Sequence, residues 1–275
     1  MKTRVVAAAV AVLAMVAGNA QADALTDIQK KGELIVGVLG TDEPNSFIDP
    51  KTRELVGYDV ELGKVVAKKI GVKPVFKQIT VAARIPELQQ GHVDVLAASL
   101  THNKEREAQI DFSLTTLIVG QNVLVKKSSG IADVPDLAGK RVVTVKGGTQ
   151  EPNIRKAVPT ATVVTFETAP QAFVALQQGK GVGFVNDSVS LARAVVQLGD
   201  KAGDYQILPT NLSVEPLALG IKKGEAGLKK VVDEALRELE ASGRAEALYE
   251  QWYGQGSTLK LPKRTFKIDS DKVAE

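Results

Sequence analysis

The 275-residue chain contains no cysteine. Disulfides, thiolate chemistry and a cysteine-linked lipid anchor are therefore excluded. Only two histidines occur, His92 and His102. His92 follows Gly91 in a turn-like stretch. His102 has no serine or aspartate partner at a triad's spacing. Two histidines without cysteine do not supply a zinc ligand set, so no metal and no cofactor are expected. Net charge is small as well: the formal +3 becomes +1 without Lys2 and Arg4. Nothing in that balance calls for nucleic acid or an anionic membrane. Long apolar runs are limited to Val5–Ala17, which is short for a span of ~20 residues.

That run has the context of an export signal. Met1-Lys2-Thr3-Arg4 precedes it and Asn19-Ala20-Gln21-Ala22 follows it. A basic start, an apolar centre and an Ala-x-Ala end predict cleavage after Ala22, with the alternative of a membrane anchor undercut by the run's length. The remaining 253 residues suffice for one large or two modest domains. A free, soluble periplasmic protein is expected.

The stretch Ser99-Leu100-Thr101-His102-Asn103-Lys104-Glu105-Arg106, closing on Asp111-Phe112-Ser113, organises the chain. It follows Val93–Ala98, which reads as a buried strand. Asn103 suits a helix cap, and Glu105 and Glu107 suit the first turn. Arg106, three residues after the cap, rules out a capping box. A guanidinium and free backbone N–H groups at a strand's carboxyl end form a site for a small carboxylate. An ordinary strand-to-helix junction with a surface ion pair fits the same spacing.

This stretch resembles the ligand-binding segment of the polar amino-acid family of periplasmic substrate-binding proteins of ABC importers (solute-binding protein family 3). Ser-x-Thr-x-Asn-x-Glu-Arg is most similar to the glutamate/aspartate-binding branch. The resemblance extends over nearly the whole mature chain. It includes Gly57-Tyr58-Asp59-Val60 and the ending Trp252-Tyr253-Gly254.

Along the chain, strand alternates with helix, which argues for parallel α/β units. Strands are predicted at Leu34–Val38, Val72–Ile79, Leu137–Val145, Val163–Phe166 and Val182–Val185. Pro74 places the second of these at an edge. Helices are predicted from Asp59 to Ile70, from Arg84 to Gly91 and from Pro170 to Gln178. One amphipathic helix is predicted from Gly227 to Tyr249. Leu117–Lys126 is apolar and extended, with Gly120 and Gln121 in its middle. Lys146-Gly147-Gly148-Thr149-Gln150 is a glycine turn before a helix, where backbone N–H groups can approach an anion. It lacks the Gly-Lys-Ser/Thr ending of a P-loop. Asp187 follows a short strand, and its spacing reads as a helix cap or a ligand carboxylate.

The resemblance implies a two-lobed α/β fold with a ligand cleft between the lobes. Lobe one would comprise 23–118 and 214–275, and lobe two 119–213. Crossovers would lie near Thr116–Gln121 and Ser213–Leu217, with a separate sheet in each lobe. It implies a monomer that captures an amino acid and hands it to an inner-membrane permease. Arg106 would clasp the α-carboxylate, aided by N–H groups near Thr101, Thr149 and Gln150. Asp187, the Thr101 hydroxyl and a carbonyl near Ser99 would take the ammonium. Arg84 would meet a distal carboxylate. An acidic or amide side chain is expected ahead of a basic one, for which Asp42 and Glu43 are the alternative partners. The same fold includes cyclohexadienyl dehydratases, which is the enzyme alternative. A binding protein rather than an enzyme is expected.

Overall fold

The chain builds its sheets mainly from short β-branched runs. The computed structural model describes residues 24–274; the expected signal segment lies outside them. The first helix, α1 (Ala24–Lys31), precedes strand β1 (Glu33–Val38). A small antiparallel sheet follows, made of β2 (Thr41–Asp42), β3 (Ser46–Ile48) and β4 (Leu55–Val56). Helix α2 (Tyr58–Ile70) keeps the predicted apolar face and stops at Gly71, whose φ of 86 only glycine adopts readily. Next come β5 (Lys73–Gln78), α3 (Arg84–Gln89), the two-residue β6 (Val95–Leu96) and α4 (Lys104–Glu107). Strand β5 is at a sheet edge, as Pro74 predicted.

The long strand β7 (Ile110–Lys126) leads into β8 (Arg141–Val145), α5 (Gln150–Ala157), β9 (Thr162–Phe166), α6 (Ala169–Gln177), β10 (Gly183–Asp187) and α7 (Ser188–Leu198). Strands β11 (Tyr205–Ile207) and β12 (Ser213–Lys222) return the chain to helices α8 (Ala226–Ala241) and α9 (Arg244–Trp252). The large sheet has the order β5-β1-β6-β12-β7-β10-β8-β9, with β11 also on β7. Separate sheets were expected. The hydrogen-bond ladder is instead continuous, because β7 and β12 pair from Ser213↔Gln121 to Lys222↔Ile110.

The two lobes are distinguished by their cores. One half packs Leu34, Val36 and Val38 with Val60, Leu62, Val232 and Leu236, while Leu96 and Leu88 pack on the opposite face. The other half alternates in the same way: Val123, Val142 and Val185 face one cluster, and Leu124, Val143 and Phe184 face another. That period of two is the signature of strands covered on both faces. The architecture is α/β and two-lobed. The predicted single C-terminal helix is broken between α8 and α9, where Gly243 has a φ of 74.

Candidate functional site

The chain leaving β6 makes a backbone turn that residues other than glycine rarely take: Ser99 has a φ of 49. Such a conformation costs about 1–3 kcal/mol and needs support. Its N–H donates to Asp59 Oδ2 (2.9 Å), and its hydroxyl lies 2.6 Å from Asp42 Oδ2 and 3.2 Å from Asp59 Oδ2. Asn103 then caps α4, its Oδ1 accepting from the Arg106 N–H at 2.9 Å. Burial and the neighbouring Asp42 push the Asp59 carboxyl up to about 7.

Arg84 opens α3 and is 4% exposed. It donates to the carbonyls of Val81 (3.0 Å), Ala98 (3.0 Å), Ser99 (2.8 Å) and Gly147 (3.4 Å). Burial and then the nearby Arg106 charge lower its pKa to about 9. Arg106, also buried, donates to the carbonyls of Thr101 (2.9 Å) and Gly147 (3.3 Å). Burial lowers its pKa too, against the pull of Glu215 and Glu105. Both guanidiniums therefore grip the β8–α5 turn, where Gly147 has a φ of 79.

Asp187 takes the helix cap that its spacing allowed. Its Oδ1 accepts from the N–H groups of Val189 and Ser190, each at 2.9 Å, which caps α7. It also borders a cavity of about 400 Å³ together with Arg84, Ser99, Thr101, Thr149 and Gln150. Burial, and next the Asp42 charge, raise its pKa to about 6. Arg106 is not among the lining residues; its fork is spent on the two carbonyls rather than presented to the cavity.

Three lining residues were missed or given a lesser place by sequence reasoning. Asp42 was only an alternative partner. Asn186 accepts from Gln150 Nε2 at 3.0 Å, while the buried Gln150 Oε1 has no protein partner. Glu215, on β12, is 3% exposed and accepts from Thr101 Oγ1 at 2.9 Å. The signal for Glu215 was a lone carboxylate opening an apolar strand, which must find donors when buried. Among the described residues no group of three or more His, Asp or Glu is arranged to hold a metal. Chemically, the cavity joins backbone N–H groups and a guanidinium to several carboxylates, an arrangement suited to a zwitterion.

Comparison with known proteins fits this geometry. Residues 34–255 match the family model of bacterial extracellular solute-binding proteins, family 3. The ABC transporter glutamine-binding protein GlnH of Bacillus subtilis is 33% identical over 234 residues, covering 84% of each chain. The glutamate/aspartate import solute-binding protein of Escherichia coli is 30% identical, covering 100% of this chain and 96% of the relative. A solved ancestral arginine-binding protein bound to glutamine superposes with a TM-score of 0.75 at 36% identity, covering 81% of this chain and 98% of the other. With the family model spanning most of the chain, and relatives of this identity and coverage, the protein belongs to the bacterial extracellular solute-binding proteins of family 3.

Proposed function

We propose that the protein binds a free α-amino acid in the cleft between its lobes and delivers it, as a monomer, to the permease of an ABC importer. Residues 1–22 act as the export signal to the periplasm. The lobes comprise 23–118 with 214–275, and 119–213. The observation that carries the reading is a cavity whose wall holds both charges, Arg84 on one hand and Asp187, Asp42 and Glu215 on the other. The N–H groups of Thr149 and Gln150 at the start of α5 serve the ligand carboxylate, and Arg106 holds the glycine turn beside them through the Gly147 carbonyl. Asp187, the Thr101 oxygen and the Ser99 carbonyl serve the ammonium. No catalytic step is assigned.

The wall also bears on the ligand's side chain. Every guanidinium nitrogen of Arg84 already donates to a backbone carbonyl. A distal carboxylate would meet no unoccupied fork. Acceptors are plentiful: Asp42 and the Gln150 Oε1 without a protein partner. A side chain that donates hydrogen bonds, an amide first and a cation second, suits this wall better than an acidic one. The glutamine-binding relative and the arginine-binding neighbour support that order.

The test is calorimetric titration with the twenty amino acids. Glutamine is expected to bind at least about tenfold more tightly than glutamate, one unsatisfied polar pair being worth about 1–3 kcal/mol. Tightest binding of glutamate or aspartate overturns the side-chain argument and leaves the transport role. Absence of binding by any amino acid, with dehydratase turnover of arogenate or prephenate, overturns the function.

A further inference from the structure

We propose that Glu215 sets the hydrogen-bond polarity of the ligand cavity, fixing which surrounding groups donate and which accept. The proposal rests on the amino-acid reading of the cavity given above. Glu215 accepts four bonds: Thr101 Oγ1 (2.9 Å) at Oε2, and Gln121 Nε2 (3.1 Å), Asn153 Nδ2 (3.2 Å) and Ser213 Oγ (3.2 Å) at Oε1. A carboxylate accepts and does not donate. Each neighbour must therefore turn a hydrogen toward it.

The consequences reach both ends of a zwitterion. Thr101 has one hydroxyl hydrogen, and it is committed to Glu215, so its oxygen faces other partners as an acceptor. Gln121 must direct its amide NH2 to Glu215, and the same NH2 donates to Thr149 Oγ1 at 3.1 Å. Asn153, itself turned by Glu215, reinforces that orientation by donating to Gln121 Oε1 at 3.1 Å. Thr149 Oγ1 is then an acceptor toward Gln121 and keeps its own hydrogen to give elsewhere. Thr101, Thr149 and Glu215 all line the cavity. One buried carboxylate thus makes an acceptor hydroxyl at Thr101, suited to an ammonium, and a donor hydroxyl at Thr149, suited to a carboxylate. Oε1 takes three of these donors and Oε2 takes Thr101, so each carboxylate oxygen acts through a neighbour and Glu215 is a positioning residue.

Glu215→Gln keeps the shape and introduces a donor. It lets Thr101 and Gln121 reverse. Glutamine, or the tightest binder of the twenty, serves as the probe in calorimetry. Affinity should fall about ten- to hundredfold, the range for a hydrogen bond to a charged group. A double-mutant cycle with Thr101→Val separates this from general loosening. If Glu215 works through the Thr101 hydroxyl, Glu215→Gln should cost at least about threefold less in the valine background. Additive losses overturn the proposal while the amino-acid reading stands. A wild type that binds no amino acid overturns that reading and this proposal with it. Should Glu215→Gln fail to fold, Gln121→Met removes the amide that links Glu215 and Asn153 to Thr149 and leaves Glu215 three donors. It should weaken binding about tenfold, and unchanged affinity overturns the proposal.

Discussion

At the residue scale, Asp187 combines two tasks that one substitution can separate. Asparagine retains an oxygen for the Val189 and Ser190 N–H groups and so keeps the α7 cap. It loses the charge that an ammonium needs. Asp187→Asn should therefore weaken amino-acid binding by about 2–5 kcal/mol with helix content unchanged. The pH profile gives an independent measure. In the folded, unliganded protein burial pushes the Asp187 carboxyl from the ordinary 3.8 up to about 6. Between those values the folded state holds a proton that the unfolded state releases, so unliganded stability falls as pH rises through the window. The ammonium requires the ionised form, so affinity rises over the same window. Asp59, pushed up to about 7, adds a second step in the same sense. Titrations at pH 5 and pH 7.5 should show weaker binding at pH 5, and a shallower slope in Asp187→Asn. An equal slope in the variant assigns the titration elsewhere.

At the scale of elements, the β8–α5 turn is where the lobes touch. A Cβ on Gly147 would stand 2.6 Å from the Ala82 backbone Cα. Gly147→Ala should prop that contact open and weaken ligand binding about tenfold or more, since closure loses the carbonyl shared by Arg84 and Arg106. Left-handed backbone strain alone costs about 1–2 kcal/mol. Gly71→Ala supplies the control, because Gly71 has a φ of 86 and nothing within 4 Å of a new Cβ. The two variants should lose similar stability in thermal melts while only Gly147→Ala loses affinity. Equal affinities would remove the turn from the closing mechanism. Elements with strong periodicity were legible in the sequence: α2, α6, β8 and β9 lie within a few residues of their predicted spans. The Asn103 cap was legible from its side chain alone. The failures have local causes. Val93–Ala98 reads as a strand, yet only Val95–Leu96 pairs, because the chain turns at Ser99 to meet Asp59 and Asp42. Helix α1 has no counterpart among the predicted helices, although Ile28 is buried. The Ser242-Gly243 break in the C-terminal helix was a visible turn signal that the apolar period overrode.

For the whole molecule, the alternation of strand and helix pointed to α/β units and the family resemblance implied two lobes, but neither told how tightly the lobes meet. That depends on pairings remote in sequence. The α7 residue Arg193 lies 2.5 Å from Glu43 on the loop between β2 and β3, and Arg84 and Arg106 both reach the Gly147 carbonyl. Glu215, which lines the cavity, and Gln121, which donates to its carboxylate, sit on the paired crossover strands, where a linear reading sees only an apolar run with polar interruptions. Each bridging contact is worth little alone, the half-buried Glu43–Arg193 pair being screened by solvent to about 1 kcal/mol or less. Ligand burial must supply the rest of the closing free energy, so the lobes should separate and rejoin with ligand occupancy. The cysteine-free background makes this directly measurable. Cysteines introduced at the exposed positions Lys51 and Lys156, one on each side of the cleft, accept a single pair of spin labels. Saturating ligand should shorten and narrow the distance distribution, and Glu43→Gln should broaden the liganded distribution toward the open form. A distribution that ignores saturating ligand would mean that the cavity fills without closure.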